Sequence, residues 1–259
     1  MKSLFRTIIV ILLFLLTTSI QDSPTYPTKK DGSPTSKGIE MYVKQNTTQF
    51  ISEYKKLVGD SLYDIEMNVD DLSQYENNGD QDDLGMTFLN KSSTEIIITN
   101  EEKFMAYEVS MLSRYKKHSI IEANNFVKGT IFHEFTHVYF NQVMMEMRLD
   151  SMFVSTEYNN FSMIPRNSFG ARFIEEGICM YVAIKIGESI IGNNYIPESI
   201  EEISNNQNKY SILYRYSAEY VTPFLDSAGI KRGIQIILGN KPPSLDEMLN
   251  PAKYYYRIK

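Results

Sequence analysis

The chain has no tryptophan, a single cysteine (Cys179) and only three histidines among 259 residues. One cysteine excludes an internal disulfide framework, so the fold must rest on its core, on a metal, or on both. No long basic run occurs and the formal net charge is −6. A nucleic-acid partner therefore has no electrostatic footprint. The acidic stretch 77–83 lacks regular EF-hand spacing and reads as a solvated loop. With 42% hydrophobic and 22% charged residues, the composition is that of a globular chain with a real core, in one domain or one two-lobed domain.

The one unbroken apolar run, Ile8 to Leu16, follows Lys2 and Arg6 and precedes small residues at Thr17 and Ser19. That order is an export signal over residues 1–19, and it is short for a membrane span, which needs about 20 residues. The expected location is secreted or extracytoplasmic, with no integral membrane domain once the signal is removed. An uncleaved N-terminal anchor is the other reading. Residues 20–38, with Pro24, Pro27, Gly32 and Pro34, read as a flexible linker.

The folded domain is expected over 39–259, as a sheet lobe at about 39–120 and a helical lobe at about 121–259. Ile39, Tyr42, Val43, Phe50, Tyr54, Leu57 and Val58 share one helical face, and Gly59 can end that helix. Residues 62–69 alternate as a half-buried strand, and 85–89 and 94–99 read as two more strands. The predicted class is α+β: a small, mostly antiparallel sheet followed by helices. Asn100 is positioned to cap a helix that ends near His118, a histidine in a basic, polar segment that reads as surface. Ser244 and Glu247 have capping-box spacing ahead of a last short helix.

The other two histidines stand together in His133-Glu134-Phe135-Thr136-His137. Residues four apart on a helix lie on one face, so both rings can reach one point. Imidazole suits Zn²⁺, and a glutamate after the first ligand stands beside the metal, where it can take a proton from water. This is a zinc-hydrolase signature. His133 and His137 are candidate metal ligands and Glu134 the candidate general base. Apolar residues around them (Ile131, Phe132, Phe135, Val138, Tyr139) predict a dry shell. Phe140 and Val143 exclude the ligand pattern that metzincins carry at those positions.

Downstream, Phe173-Ile174-Glu175-Glu176-Gly177-Ile178-Cys179-Met180-Tyr181 carries a Glu-Gly pair on a helical run. With the His-Glu-x-x-His stretch it resembles the gluzincin peptidases of the peptidase MA clan. The resemblance covers roughly 127–239 and is specific only at the two motifs. It implies a zincin-like fold, a Zn²⁺ cofactor, a peptide or protein substrate, and Glu176 as third ligand, with Gly177 letting two helices approach. The 38 residues between His137 and Glu176 exceed the spacing in thermolysin-like and aminopeptidase members. Glu175 and Asp150 are rival ligands, the latter resembling aspzincins, and Cys179 reads as a small core residue. A comparable helix in the clan brings a tyrosine to the oxyanion. Tyr216 is the nearest match, beside the plainer reading of an aromatic core residue. Thr94–Thr99 is the expected edge strand for a substrate backbone. The expectation is an exported zinc peptidase; the alternative is an inactive binding or surface-interaction protein with the same fold.

Overall fold

The computed structural model describes residues 38–62, 65–70, 85–89, 94–99, 120–147, 169–187, 196–204 and 211–259. The signal segment, the linker up to residue 37, the acidic loop, the helix expected after Asn100, His118 and Asp150 lie outside the described residues.

Helix α1, Gly38–Val58, forms where the apolar periodicity predicts. It buries Tyr42, Val43, Phe50, Tyr54 and Val58, and Lys55 and Lys56 in its last turn suit the negative end of the helix dipole. Strands β1 (Ile65–Asp70), β2 (Gly85–Leu89) and β3 (Thr94–Thr99) form one sheet in the order β1-β3-β2. β2 pairs antiparallel with β3, with Gly85 opposite Ile98, whereas β1 pairs parallel with β3, with Ile65 opposite Thr94.

Three expectations are corrected here. The class is mostly helical rather than α+β: strands of 6, 5 and 6 residues stand against helices of 21, 27 and 19. Alternation marks a strand but not its weight in the fold. The sheet is mixed rather than mostly antiparallel, because the chain between β1 and β3 is long enough for the crossover that a parallel pair requires. Finally, β3 is central and bonded on both sides, so it has no edge to offer a substrate. The edges are β1 and β2.

Helix α2, Ile120–Glu146, is the long motif helix. It is buried on nearly every side: Ile131, Phe132, Phe135, Val138, Tyr139, Phe140, Val143 and Met144 all lie in the core. A helix apolar all round belongs inside a fold. Helix α3, Phe169–Gly187, lies along α2 and carries Phe173, Ile174, Ile178 and Val182 into the same core. Each fully buried side chain of this size contributes about 2 kcal/mol.

Behind α3 run the short α4 (Ile200–Ser204), a π-helical turn at Ser211–Tyr216, α5 (Ser217–Ala228), α6 (Ile230–Leu238), α7 (Leu245–Leu249) and α8 (Pro251–Ile258). The Ser244–Glu247 capping box at α7 is formed in both directions. No described helix is long and apolar enough to cross a membrane.

Candidate metal centre

The motif helix is fixed from behind by its own intervening residues. Phe135 and Thr136 are fully buried. Tyr54 of α1 packs its ring on Phe132, Phe135 and Tyr139 at 5.6, 5.5 and 6.2 Å. Its hydroxyl donates to Thr136 Oγ1 at 3.1 Å, and Thr136 in turn donates to the Phe132 carbonyl at 2.7 Å. With one face locked into the core, the motif helix turns His133 and His137 toward α3 and the π-helical turn.

What α3 presents is Glu176. His133 Nε2 and His137 Nε2 are 3.2 Å apart, and Glu176 Oε2 lies 3.3 Å from the first and 3.8 Å from the second. Donor atoms about 2.0–2.1 Å from a tetrahedral zinc stand about 3.3–3.4 Å from one another. Two edges of the triangle have that size, and the third, from Glu176 to His137, is longer at 3.8 Å. Glu176 is buried, and its Oε2 has no hydrogen-bond partner. An orphaned, buried carboxylate oxygen needs an explanation, and a cation supplies one. Burial alone would raise this carboxyl, but the His133 and His137 rings and the Arg172 guanidinium outweigh it and hold the group at about 2. It is a carboxylate at neutral pH.

Glu175, weighed as a rival ligand facing elsewhere, is in the site on the far side of a histidine. Its Oε1 is 2.7 Å from His137 Nδ1. A carboxylate there keeps the proton on Nδ1 and leaves Nε2 as the donor toward the metal point. Burial works against a charged His137, yet Cys179 and Glu175 hold its proton well above the usual histidine range.

A second grouping includes sulfur. Among the described residues, His133, His137 and Cys179 could hold a metal ion, since their donor atoms lie within 4.8 Å of one another. That limit is looser than the nitrogen–sulfur separation of about 3.5 Å in a tetrahedral zinc site. Burial pushes the Cys179 thiol up to about 12, so without a metal it is an uncharged core residue.

Glu134 lies against β2. It is buried, and the Thr87 hydroxyl donates to its Oε2 at 2.7 Å. His133 and His137 keep 12% and 18% of their side-chain surface exposed, so the metal point is not sealed.

Two expectations about the surroundings are corrected. Gly177 does not let α3 close on the motif helix; a Cβ there would stand 2.6 Å from the Ser217 carbonyl oxygen, so its missing side chain admits α5 instead. Tyr216 is not at the metal point. It is buried against Phe173 and Tyr220, and its hydroxyl donates to the Met248 carbonyl. The tyrosine beside the metal histidines is Tyr214, half-buried on the π-helical turn, its ring centre 6.1 Å from that of His133. A π-turn shifts side-chain phase relative to an α-helix, and such turns recur at functional sites. Sequence reasoning also missed Gly85 and Thr87. Their i, i+2 spacing put them on one strand face, but nothing in the sequence placed that face on Glu134.

Comparison with known protein families, curated proteins and solved structures yields no match.

Proposed function

We propose that the protein is a zinc-dependent peptidase with a gluzincin-like centre: His133, His137 and Glu176 as metal ligands and Glu134 as general base. The observation that carries this is the triangle of two imidazole nitrogens and one orphaned carboxylate oxygen, with edges of 3.2, 3.3 and 3.8 Å. Two nitrogens and one oxygen with an open fourth position form the donor set of a catalytic zinc. When bound, Zn²⁺ supplies a Lewis acid that brings the pKa of water toward about 7 and polarises a carbonyl.

The remaining chemistry belongs to the chain. Glu134 takes the proton from the attacking water and returns it to the leaving amine. Glu175 holds His137 in the tautomer and orientation the site requires. Tyr214, whose ring lies beside His133, replaces Tyr216 as the candidate hydroxyl for the developing oxyanion. β2 replaces β3 as the sheet edge beside the site. Among the described residues it pairs only with β3, so its outer edge can take a substrate backbone by main-chain bonds. The export signal expected over residues 1–19 implies an extracytoplasmic peptide or protein as substrate.

A second reading is a structural metal: Cys179 would join the other three donors and close the site, leaving a binding protein. Its position in the His133–His137–Cys179 group favours that. The test is metal content and cleavage of a mixed peptide library, with and without chelator, in wild type and Glu134→Gln. The peptidase reading expects one zinc per chain in both proteins and chelator-sensitive cleavage in wild type alone. Stoichiometric zinc without cleavage in either protein selects the structural reading.

A further inference from the structure

The general base is held by a strand rather than by its own helix. Thr87 and Gly85 are alternate residues of β2, so they share one face, and both meet Glu134. Thr87 is buried, with its hydroxyl 2.7 Å from Glu134 Oε2 and 3.4 Å from the Glu134 carbonyl. Its single proton serves the nearer acceptor, Oε2. At Gly85, a Cβ would stand 2.7 Å from Glu134 Oε1, 2.8 Å from Cγ and 3.0 Å from Cδ. One strand therefore ties one carboxylate oxygen and leaves out the atom that would displace the other.

We propose that β2 is the positioning element of the general base: Thr87 fixes Oε2, Gly85 leaves room for Oε1, and Oε1 is the oxygen that takes the proton of the attacking water. This rests on the peptidase reading. The two oxygens of a carboxylate are equivalent until one is occupied, and Thr87 occupies Oε2. A base whose reacting oxygen is set in advance loses no time or rotamer freedom at the moment of attack, and misplacement by about 1 Å can cost on the order of 100-fold. The same arrangement ties the proposed substrate edge to the base, so a substrate aligned on β2 is aligned on Oε1 as well. Thr87 and Gly85 are positioning residues, because they act through Glu134.

The test uses Thr87→Val, Thr87→Ser, Gly85→Ala and Glu134→Ala in the full chain. Thr87→Val keeps the shape and removes the donor. It should retain one zinc per chain and lose about 10- to 100-fold in kcat with little change in KM. Thr87→Ser should recover most of that loss. Gly85→Ala should fold, because the end of a flexible side chain can move aside, and should lose kcat with zinc kept. A readout independent of turnover is the urea midpoint of the metal-free protein. If Thr87 acts through Glu134, adding Thr87→Val to Glu134→Ala lowers that midpoint no further than Glu134→Ala alone. Equal kcat in wild type and Thr87→Val, or additive midpoint shifts, would overturn the proposal while the peptidase reading stood. Zinc-loaded wild type without cleavage would remove the peptidase reading itself, and full cleavage by Glu134→Gln would remove Glu134 as its base.

Discussion

The two faces of α3 make opposite uses of the same kind of residue. Toward α2 it offers Glu175 and Glu176, whose carboxylates end on His137 and at the metal point. Toward α5 it offers Phe173, which joins Tyr216, Tyr220, Tyr254 and Tyr255 in a run of ring contacts 5.0–6.0 Å apart. Two hydroxyls of that run are spent on α7: Tyr216 donates to the Met248 carbonyl and Tyr220 to that of Glu247 at 3.1 Å. On the aromatic face Tyr216 and Tyr220 close on backbone, while the Tyr254 and Tyr255 hydroxyls are buried without a hydrogen-bond partner. On the metal face the buried atom without a hydrogen-bond partner is a carboxylate oxygen, Glu176 Oε2, which faces the two histidine rings. A polar atom satisfied by the fold contributes stability, and one left unsatisfied costs stability until a ligand arrives.

The largest way to break the comparison is to remove a ligand from the metal face. His137→Ala should abolish zinc binding and reduce cleavage to background, with the aromatic face intact. Equilibrium dialysis with elemental analysis reads it, and full zinc retention in this variant would place the metal elsewhere. The third ligand is decided the same way. Glu176→Ala should lose zinc, Cys179→Ala should keep it, and Glu175→Gln should weaken it by about 10- to 100-fold, as expected for a partner that orients a ligand. Loss of zinc in Cys179→Ala with retention in Glu176→Ala would exchange the roles of the two side chains.

Next in size is the pair of tyrosines two residues apart. Tyr214→Phe removes the hydroxyl of the ring beside His133 and should lower kcat by about 100-fold, which is the scale of one oxyanion donor. Tyr216→Phe orphans the Met248 carbonyl. It should leave kcat unchanged and destabilise the fold by about 1–2 kcal/mol. Paired kinetics and thermal melts separate the two, and the reverse pattern would restore Tyr216 to the site.

How much of this was legible in the sequence follows from how local each feature is. His133, Glu134 and His137 are fixed by helical spacing, and α1, β2, β3 and the α7 capping box by patterns a few residues long. Glu176 was legible only through a Glu-Gly motif. That motif carried the residue to the metal point although its stated reason, that Gly177 admits the motif helix, was wrong: Gly177 faces Ser217. Tyr216 proved to be the aromatic core residue of the plainer reading, and Tyr214 was missed because an α-helical phase does not hold on the π-turn that carries it. Thr87 and Gly85 meet Glu134 across 47 and 49 residues of chain, and only the sheet order decides which strand lies on the base. The parallel pairing of β1 was illegible for the same reason.

The smallest prediction concerns the far end of the aromatic face. Glu247 joins α7 to α8: its carboxylate accepts from Arg257 Nε at 2.6 Å and Nη2 at 3.1 Å, and from the Ser244 backbone N–H at 2.9 Å. The Arg257 hydrogen bond, opposed by partial burial and aided by Ser244, holds its pKa at about 2. The unfolded value for a glutamate is about 4.3. A carboxyl depressed on folding stabilises the protein above its unfolded pKa, and that stabilisation is lost as pH falls through the folded value. The window therefore runs from about pH 4.5 down to about pH 2. Because the pair reaches solvent, screening keeps the effect modest. Glu247→Gln should lower the melting temperature slightly at pH 7 and flatten its fall between pH 4.5 and 2, with zinc content and kcat unchanged. An acid melting profile in Glu247→Gln as steep as in wild type would show that other carboxylates set the acid limb, those of the metal face first among them.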